Sequence, residues 1–394
     1  MRVAYPRLDV LASWALVGVL VLLCAPWVFP SNKLYHQGLI LLLWLPGLLA
    51  LGCVQFRRLL PQPELILFVL LSAWTLLVIA VQDGVDGLRD AKLPFYVLLS
   101  LLGVLAAAQQ RHYSIEWQLR IAALVAGPFA LWSVIDFYVL NDHPASSRVA
   151  AIGLWDTIIM AAHAVGALAV VGCLLGLRWK GGWRFLLLPL VGGGLAVFLL
   201  FSQTRGVWIA LLAAFLVCVM ARPSRMGVAA LVLGTLGVLV LALCMPEFLA
   251  QRGLSHRPEL LHKGLVIFAE HWKFGLGFND YSILVESQGK TYRHPHNIYL
   301  DLGIRWGIVG LALFVALWGC VLLRAWRNRY SRLGFALLGL WAFSTVALLT
   351  DGIGLWFKPN ADWLITWLPI ALSLVLAART SERDPESGVI DGLH

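Results

Sequence analysis

The sequence predicts an all-α integral membrane protein, and three observations predict it. The mean hydropathy of the 394-residue chain is +0.82. Only 13% of its residues are charged, where a soluble domain carries roughly a quarter. Apolar runs of about 17 to 25 residues recur along its length, each long enough to cross the hydrocarbon core as a helix. The net charge of +9 would suggest nucleic acid in a soluble protein. Here it reads as topology, because the cations gather in short segments between apolar runs.

Twelve spans are predicted, near 9–29, 36–54, 63–82, 93–108, 119–140, 156–177, 184–202, 206–221, 226–245, 298–323, 333–351 and 362–378. The basic leader MRVAYPRLDV runs into the first of them. That run is too long for a cleaved signal peptide and lacks a small-residue cleavage site, so it is read as a retained helix. One set of connecting segments reads QFRRLLPQ, QQRHYSIEWQLR, RWKGGWR, ARPSR and RAWRNRYSR. With both termini it carries 17 of the 30 Lys and Arg, which makes it cytoplasmic and leaves both termini inside. The opposite set includes the acidic QDGVDGLRDAK and is external, periplasmic in a Gram-negative host. Cys24, Cys53, Cys173, Cys218, Cys244 and Cys320 all lie in apolar runs, which argues against a disulfide framework or a cysteine metal site. Residues 1–378 are the transmembrane domain, and 379–394, RTSERDPESGVIDGLH, form a polar cytoplasmic tail with the composition of a disordered segment.

One external loop, 246–295, is far longer than the rest, and such a loop is usually functional. Its RPELLHKGLVIFAEHW places Leu260, Leu261, Leu265 and Phe268 on one helical face and Glu259, His262, Lys263 and Glu270 on the other. That pattern predicts an amphipathic helix at the membrane surface. The glycines of FGLGFNDYS end it. The loop returns to the membrane at RHPHN, before Ile298.

Candidate chemistry gathers at this external border. In FSQTRGVWIALLAAFL a turn of a few residues sets Ser202, Gln203, Thr204 and Arg205 at the head of a helix. Helix N-terminal amides attract anions and an arginine adds a two-pronged donor, a combination suited to phosphate or diphosphate. The plain alternative is an arginine snorkelling to headgroups. Arg252, Lys263, Lys273, Lys290 and Arg293 read as solvated charges. Arg257 stands apart, because a cation opening a helix is unfavourable for the dipole and asks for a compensating role. Arg148 is a further external cation without a distinctive context. His294 and His296 can be structural, can bind metal with His256, His262 or His271, or can supply a general base near neutral pH. No metal-site spacing emerges. Arg305 lies within a span and can pair with Asp301, one turn earlier. His163, Asp156, Asp136 and Asp351 read as packing residues.

SQTRGVWIALL, the long loop with SHRPELL and FGLGFNDY, and HPHNIYLDLGIRWGIVGL together resemble the O-antigen ligase and polymerase superfamily, over roughly residues 195 to 320. The resemblance implies a GT-C-like glycosyltransferase of the bacterial inner membrane, with its active site on the periplasmic face. It implies a ligase that moves a polysaccharide from undecaprenyl diphosphate onto a sugar of lipid A–core, inverting, with no metal and no cofactor. Its partners would be the undecaprenyl-diphosphate-linked O-antigen donor, the lipid A–core acceptor and membrane lipids, not nucleic acid. The family's arginines map to Arg205 and Arg257 and its histidine before Asn to His296, as catalytic residues. Gln203, Arg293, His294 and Asn297 join Arg205 and Arg257 as candidate substrate-binding residues. Arg305 departs from the acidic or neutral residue that family members often have there. A polymerase would use the same donor with a second lipid-linked glycan as acceptor, but one dominant external loop favours the ligase. A transporter of lipid-linked sugar would instead call for charges near the midplane and paired broken helices.

Overall fold

The computed structural model describes residues 7–82, 89–110, 114–176, 184–229, 232, 236, 257–286 and 289–381. Among them the regular structure is helical, apart from one small hairpin. In order come α1 (Leu8–Val28), α2 (Asn32–Leu39), α3 (Leu45–Ala50), α4 (Val54–Arg57), α5 (Pro63–Gln82), α6 (Leu93–Ala107), α7 (Ile115–Ile135), α8 (Ile158–Leu175), α9 (Arg184–Phe201) and α10 (Arg205–Ala221). Then follow α11 (Arg257–His271), β1 (Ile283–Val285), β2 (Lys290–Tyr292), α12 (Ile298–Arg327), α13 (Arg332–Asp351) and α14 (Trp363–Ser381). Seven of the described helices are long and apolar enough to cross a membrane, and α6, α10 and most of α9 are shorter apolar helices. The predicted span 36–54 is two helices, α2 and α3, joined by a wider π-helical turn at Ile40–Trp44. The predicted span 226–245 lies mostly outside the described residues.

The bundle is built as a membrane requires. Large apolar side chains point outward, Leu41, Leu200, Ile209 and Val315 among them, where lipid solvates them. Small residues line the inside. In α8, Ala161, Ala162, Ala164, Gly166 and Ala167 are all buried, which lets helices approach closely. Gly166 lies against Phe343 of α13 and Val207 of α10, so these three helices form one tight group. At the end of the bundle remote from the long loop, buried Glu64 of α5 is held at two points by Arg324 of α12, at 2.7 and 2.9 Å, and by Ser373 of α14. A lone buried carboxylate would be costly, so the three partners act as a staple between spans.

The described part of the long segment expected to be external packs on α12 rather than standing free. Leu260 is buried against Ile283 and Val285 of the hairpin, Gly264 faces Leu300 and Pro295, and Phe268 faces Gly303. Leu261 and Leu265, expected on the same face, remain 44% and 48% exposed. The apolar arc of α11 is therefore wider than the protein covers. Lys263, expected to be solvated, ties α11 to the hairpin through Glu286 at 3.0 Å and the Leu284 carbonyl at 2.7 Å.

The expected continuous span from Ile298 is interrupted. Gly307 has φ +64° and ψ −172°, so α12 breaks there. The freed backbone groups find partners in the external segment. Leu276 N–H donates to the Ile304 carbonyl at 2.9 Å and Gly277 N–H to that of Arg305 at 2.8 Å, while Ile308 N–H donates to Trp272 at 2.7 Å. Trp74 of α5 donates its indole N–H to the Trp306 carbonyl at 2.7 Å. The glycines of FGLGF now have a reason. Gly275, φ +79°, lies directly on the Arg305 carbonyl, where any side chain would collide. A broken helix whose loose ends are satisfied this way is a socket for the loop, and no second break of this kind pairs with it among the described residues.

Candidate active site

Four segments meet at the helix ends beside the long loop. The turn before α10 abuts the end of α13: a Cβ on Gly206 would sit 2.6 Å from Thr350 Oγ1. The chain leaving α13 packs on the start of α12, since a Cβ on Gly352 would sit 2.7 Å from Ile298 Cβ. Arg205 is the first residue of α10, Arg257 the first of α11, and Asp351 the last of α13. His296 precedes α12 by two residues.

Asp351 organises the centre. Its side chain is 5% exposed and its two oxygens serve different partners. Oδ1 accepts from His296 Nδ1 at 2.6 Å, and Oδ2 accepts from Arg257 Nη2 at 3.2 Å. The compensation that Arg257 needed at its helix start is therefore this carboxylate. With the Nδ1 proton turned to Asp351, the His296 lone pair is on Nε2, which fixes the tautomer a general base requires. The His296 side chain remains 22% exposed, and Arg257 38%, so both are within reach of a substrate.

His294 differs. Its ring lies 4.1 Å from that of His296, centroid to centroid. Burial above all, with the neighbouring His296 ring and Arg305, outweighs Asp351 and lowers its pKa to about 4. Its Nδ1 is buried without a hydrogen-bond partner. His294 is thus a neutral wall beside the base. Arg293 is exposed one residue earlier. Asn297, expected to bind substrate, caps α12: its Oδ1 accepts from Tyr299 N–H at 3.0 Å and Leu300 N–H at 3.2 Å, which leaves only its amide NH2 for a ligand.

The Arg205 turn is held from outside. Arg148 Nε donates to the Ser202 carbonyl and its Nη2 to Thr204 Oγ1, both at 2.9 Å, and Val149 N–H donates to the Phe201 carbonyl. These bonds bracket Gln203, whose φ is +50°. His296, at φ +52°, is likewise left-handed, and only Asp142 joins them among the described non-glycine residues. Such backbone costs about 1 to 3 kcal/mol per residue and persists where the surroundings impose it, commonly at functional sites.

The other polar residues have structural partners. Arg305 donates to Asp301 at 3.2 Å and to the Gly277 carbonyl at 3.2 Å, and Tyr281 O–H donates to Asp301 at 2.5 Å. Arg305 therefore staples the external loop to α12. His163 pairs with Asp362 at 3.2 Å, fully buried, and Asp136 accepts from Asn141. Asp351 and Arg148 are the site residues that sequence reasoning passed over. The one signal for Asp351 was its place at the external end of a span. Arg148 lies far from the turn in sequence and gave none.

Beside the turn, α8, α9 and α10 enclose an apolar groove of about 760 Å³, lined by Gly172, Val191, Leu195, Leu199 and Trp208 among others. Trp208, one of its walls, donates its indole N–H to the Leu199 carbonyl at 3.0 Å.

An apolar helical bundle with an arginine-headed turn and a His–Asp pair at one end suits a membrane enzyme, and its likeness to O-antigen ligases places it in the glycosyl-transfer class. Residues 190–315 match the family model described as O-Antigen ligase. Across 387 residues the chain is 28% identical to the O-antigen ligase of Pseudomonas aeruginosa, covering 95% of this chain and 94% of that protein. Together they support the O-antigen ligase superfamily and bear out the resemblance drawn from the motifs. The family match takes in Arg205, Arg257, His294 and His296 but ends before Asp351.

Proposed function

We propose that the protein is an O-antigen ligase of the bacterial inner membrane. It joins a polysaccharide carried on undecaprenyl diphosphate to a sugar of lipid A–core on the periplasmic side. The fold is a GT-C-like bundle of 12 spans with both termini in the cytoplasm, residues 246–295 external and 379–394 a cytoplasmic tail. The single observation that carries the reading is the His296–Asp351–Arg257 chain beside the Arg205 turn. It sets a base with a fixed tautomer against cations suited to a diphosphate.

The groove between α8, α9 and α10 takes part of the prenyl tail, so the donor arrives sideways from the lipid with its diphosphate at the turn. Arg205, Arg257 and the first amides of α10 bind that diphosphate. The acceptor hydroxyl gives its proton to His296 Nε2 as its oxygen bonds to sugar C1. The C1–O bond to phosphate breaks on the opposite side, which inverts the anomeric centre. Its electron pair passes to the diphosphate, and the arginines stabilise the growing charge. The proton on His296 then leaves to solvent. Cations on the leaving group take the part a metal would otherwise play.

The test is deletion of the gene in its host, with lipopolysaccharide run on a gel and lipid-linked glycans extracted alongside. Loss of all O-antigen bands with full-length polymer accumulating on the carrier is expected, and His296→Ala should not restore the bands. Core capped by a single repeat would assign a polymerase. An unchanged ladder would overturn the proposal.

A further inference from the structure

The helices that carry the site have a second charged end. Arg222 follows α10, with Arg225 three residues on. Arg327 closes α12, Arg329 lies in the link and Arg332 opens α13. From Arg205 to Ala229 and from Leu302 to Thr350 there is no acidic residue. Carboxylates of neighbouring helices are engaged elsewhere: Glu64 is held by Arg324 and Glu116 by Arg379. Five arginines thus gather where three helices end.

A bias of cations to the cytoplasm explains their sign but not their arrangement. The Arg222 guanidinium lies 4.2 Å from the Phe335 ring centre and 5.8 Å from that of Tyr330. Arg329 lies 4.5 Å from Tyr330 and 4.8 Å from Trp326. Backbone bonds fix both, Arg222 to the Ser331 carbonyl at 3.1 Å and Arg329 to that of Trp326 at 3.0 Å. Two like charges are therefore held around one tyrosine ring, and they repel unless an anion joins them. Tyr330 is 73% exposed and Trp326 41%, as side chains at the border of lipid and water are.

We propose that this corner binds the phosphate headgroup of an anionic phospholipid in the leaflet opposite the active site. The inference rests on the chain spanning a membrane and not on the glycosyl-transfer reading. The stacked guanidinium groups receive the phosphate, Arg225, Arg327 and Arg332 surround it, and Trp326 and Tyr330 lie against the upper acyl chains.

The test is native mass spectrometry of the full chain released from detergent with phosphatidylglycerol or with phosphatidylcholine of the same acyl chains. Selective retention of phosphatidylglycerol is expected. R222Q/R329Q should weaken it by about fivefold for each arginine removed. R225Q/R327Q, which changes only exposed side chains, should weaken it in the same direction without disturbing the packed ring. Equal retention of both lipids, or unchanged retention in both variants, would overturn the proposal. So would retention seen only after truncation at Ser381, which would assign the arginines to the acidic residues of the chain's own tail.

Discussion

His296 and Asp351, 55 residues apart in the chain, are joined by a 2.6 Å hydrogen bond at the ends of two packed helices. The carboxylate also holds Arg257, so one buried group sets both a base and a cation. Asp351→Asn keeps the shape but presents an amide that can turn its N–H2 to Nδ1 and reverse the tautomer. Turnover of lipid-linked glycan by purified protein in detergent should fall by about 10² to 10⁴. Near-normal turnover would remove Asp351 from the mechanism.

In the proposed mechanism Arg205 acts where charge develops, so its removal should lower turnover more than donor binding. Loss of an oxyanion donor costs about 3 to 4 kcal/mol in comparable sites, or roughly 10² to 10³ in rate. Steady-state kinetics of Arg205→Ala read this directly. A change confined to KM would make it a uniform binding contact instead.

Arg148 holds the turn by a fork to Ser202 and Thr204 and is a positioning residue. Arg148→Ala should release Gln203 from its left-handed backbone, weakening donor binding by about tenfold, in line with two charge-assisted bonds near 1.5 kcal/mol each less partial replacement by water. Arg148→Lys should recover only part, since an ammonium cannot span both acceptors. Comparing KM with kcat in the two variants tests the role, and full rescue by lysine would argue against it.

His294 links the site to pH. Its folded-state pKa is depressed to about 4 from an ordinary value of 6.5. The unfolded chain therefore binds the extra proton between those values while the folded chain does not. Stability should fall as pH drops from about 6.5 towards 4, and the fall should shrink in His294→Gln. Thermal unfolding in detergent across that range measures it. An identical pH dependence in the variant would contradict the burial argument.

Gly307→Ala should be severe for its size. A left-handed backbone and collision with the Lys273 carbonyl together exceed the roughly 1 to 3 kcal/mol of strained backbone alone. Unfolding of the external segment, read by limited proteolysis near residues 272–295, should precede that of the bundle.

The helices were legible because apolar runs have little else to become in lipid, and Leu8–Val28 and Pro63–Gln82 fall within a residue or so of expectation. Arg205, Arg257 and His296 were legible because each stands where a charge or a ring is out of place. Asp351 was not, since a carboxylate at a helix end looks the same whether it faces water or holds a histidine. The Gly307 break was hidden for a related reason. Glycine is common inside spans, and only the plug formed by Gly275 and Gly277, thirty residues earlier, gives this one its conformation. Arg305 lies within α12 and pairs with Asp301 as their spacing allowed, and its bond to the Gly277 carbonyl ties it to that same plug.

The socket at Gly307 bears on how work is divided during a reaction cycle. A segment sewn into a broken helix by backbone bonds on both sides of the gap travels with that helix or not at all. A hinged cover would have to tear those bonds at every turnover. On the proposed reaction the moving parts are then the two lipid-borne substrates, which slide in the plane of the bilayer to a fixed bench, while the finished polymer hangs clear of it and its length does not matter.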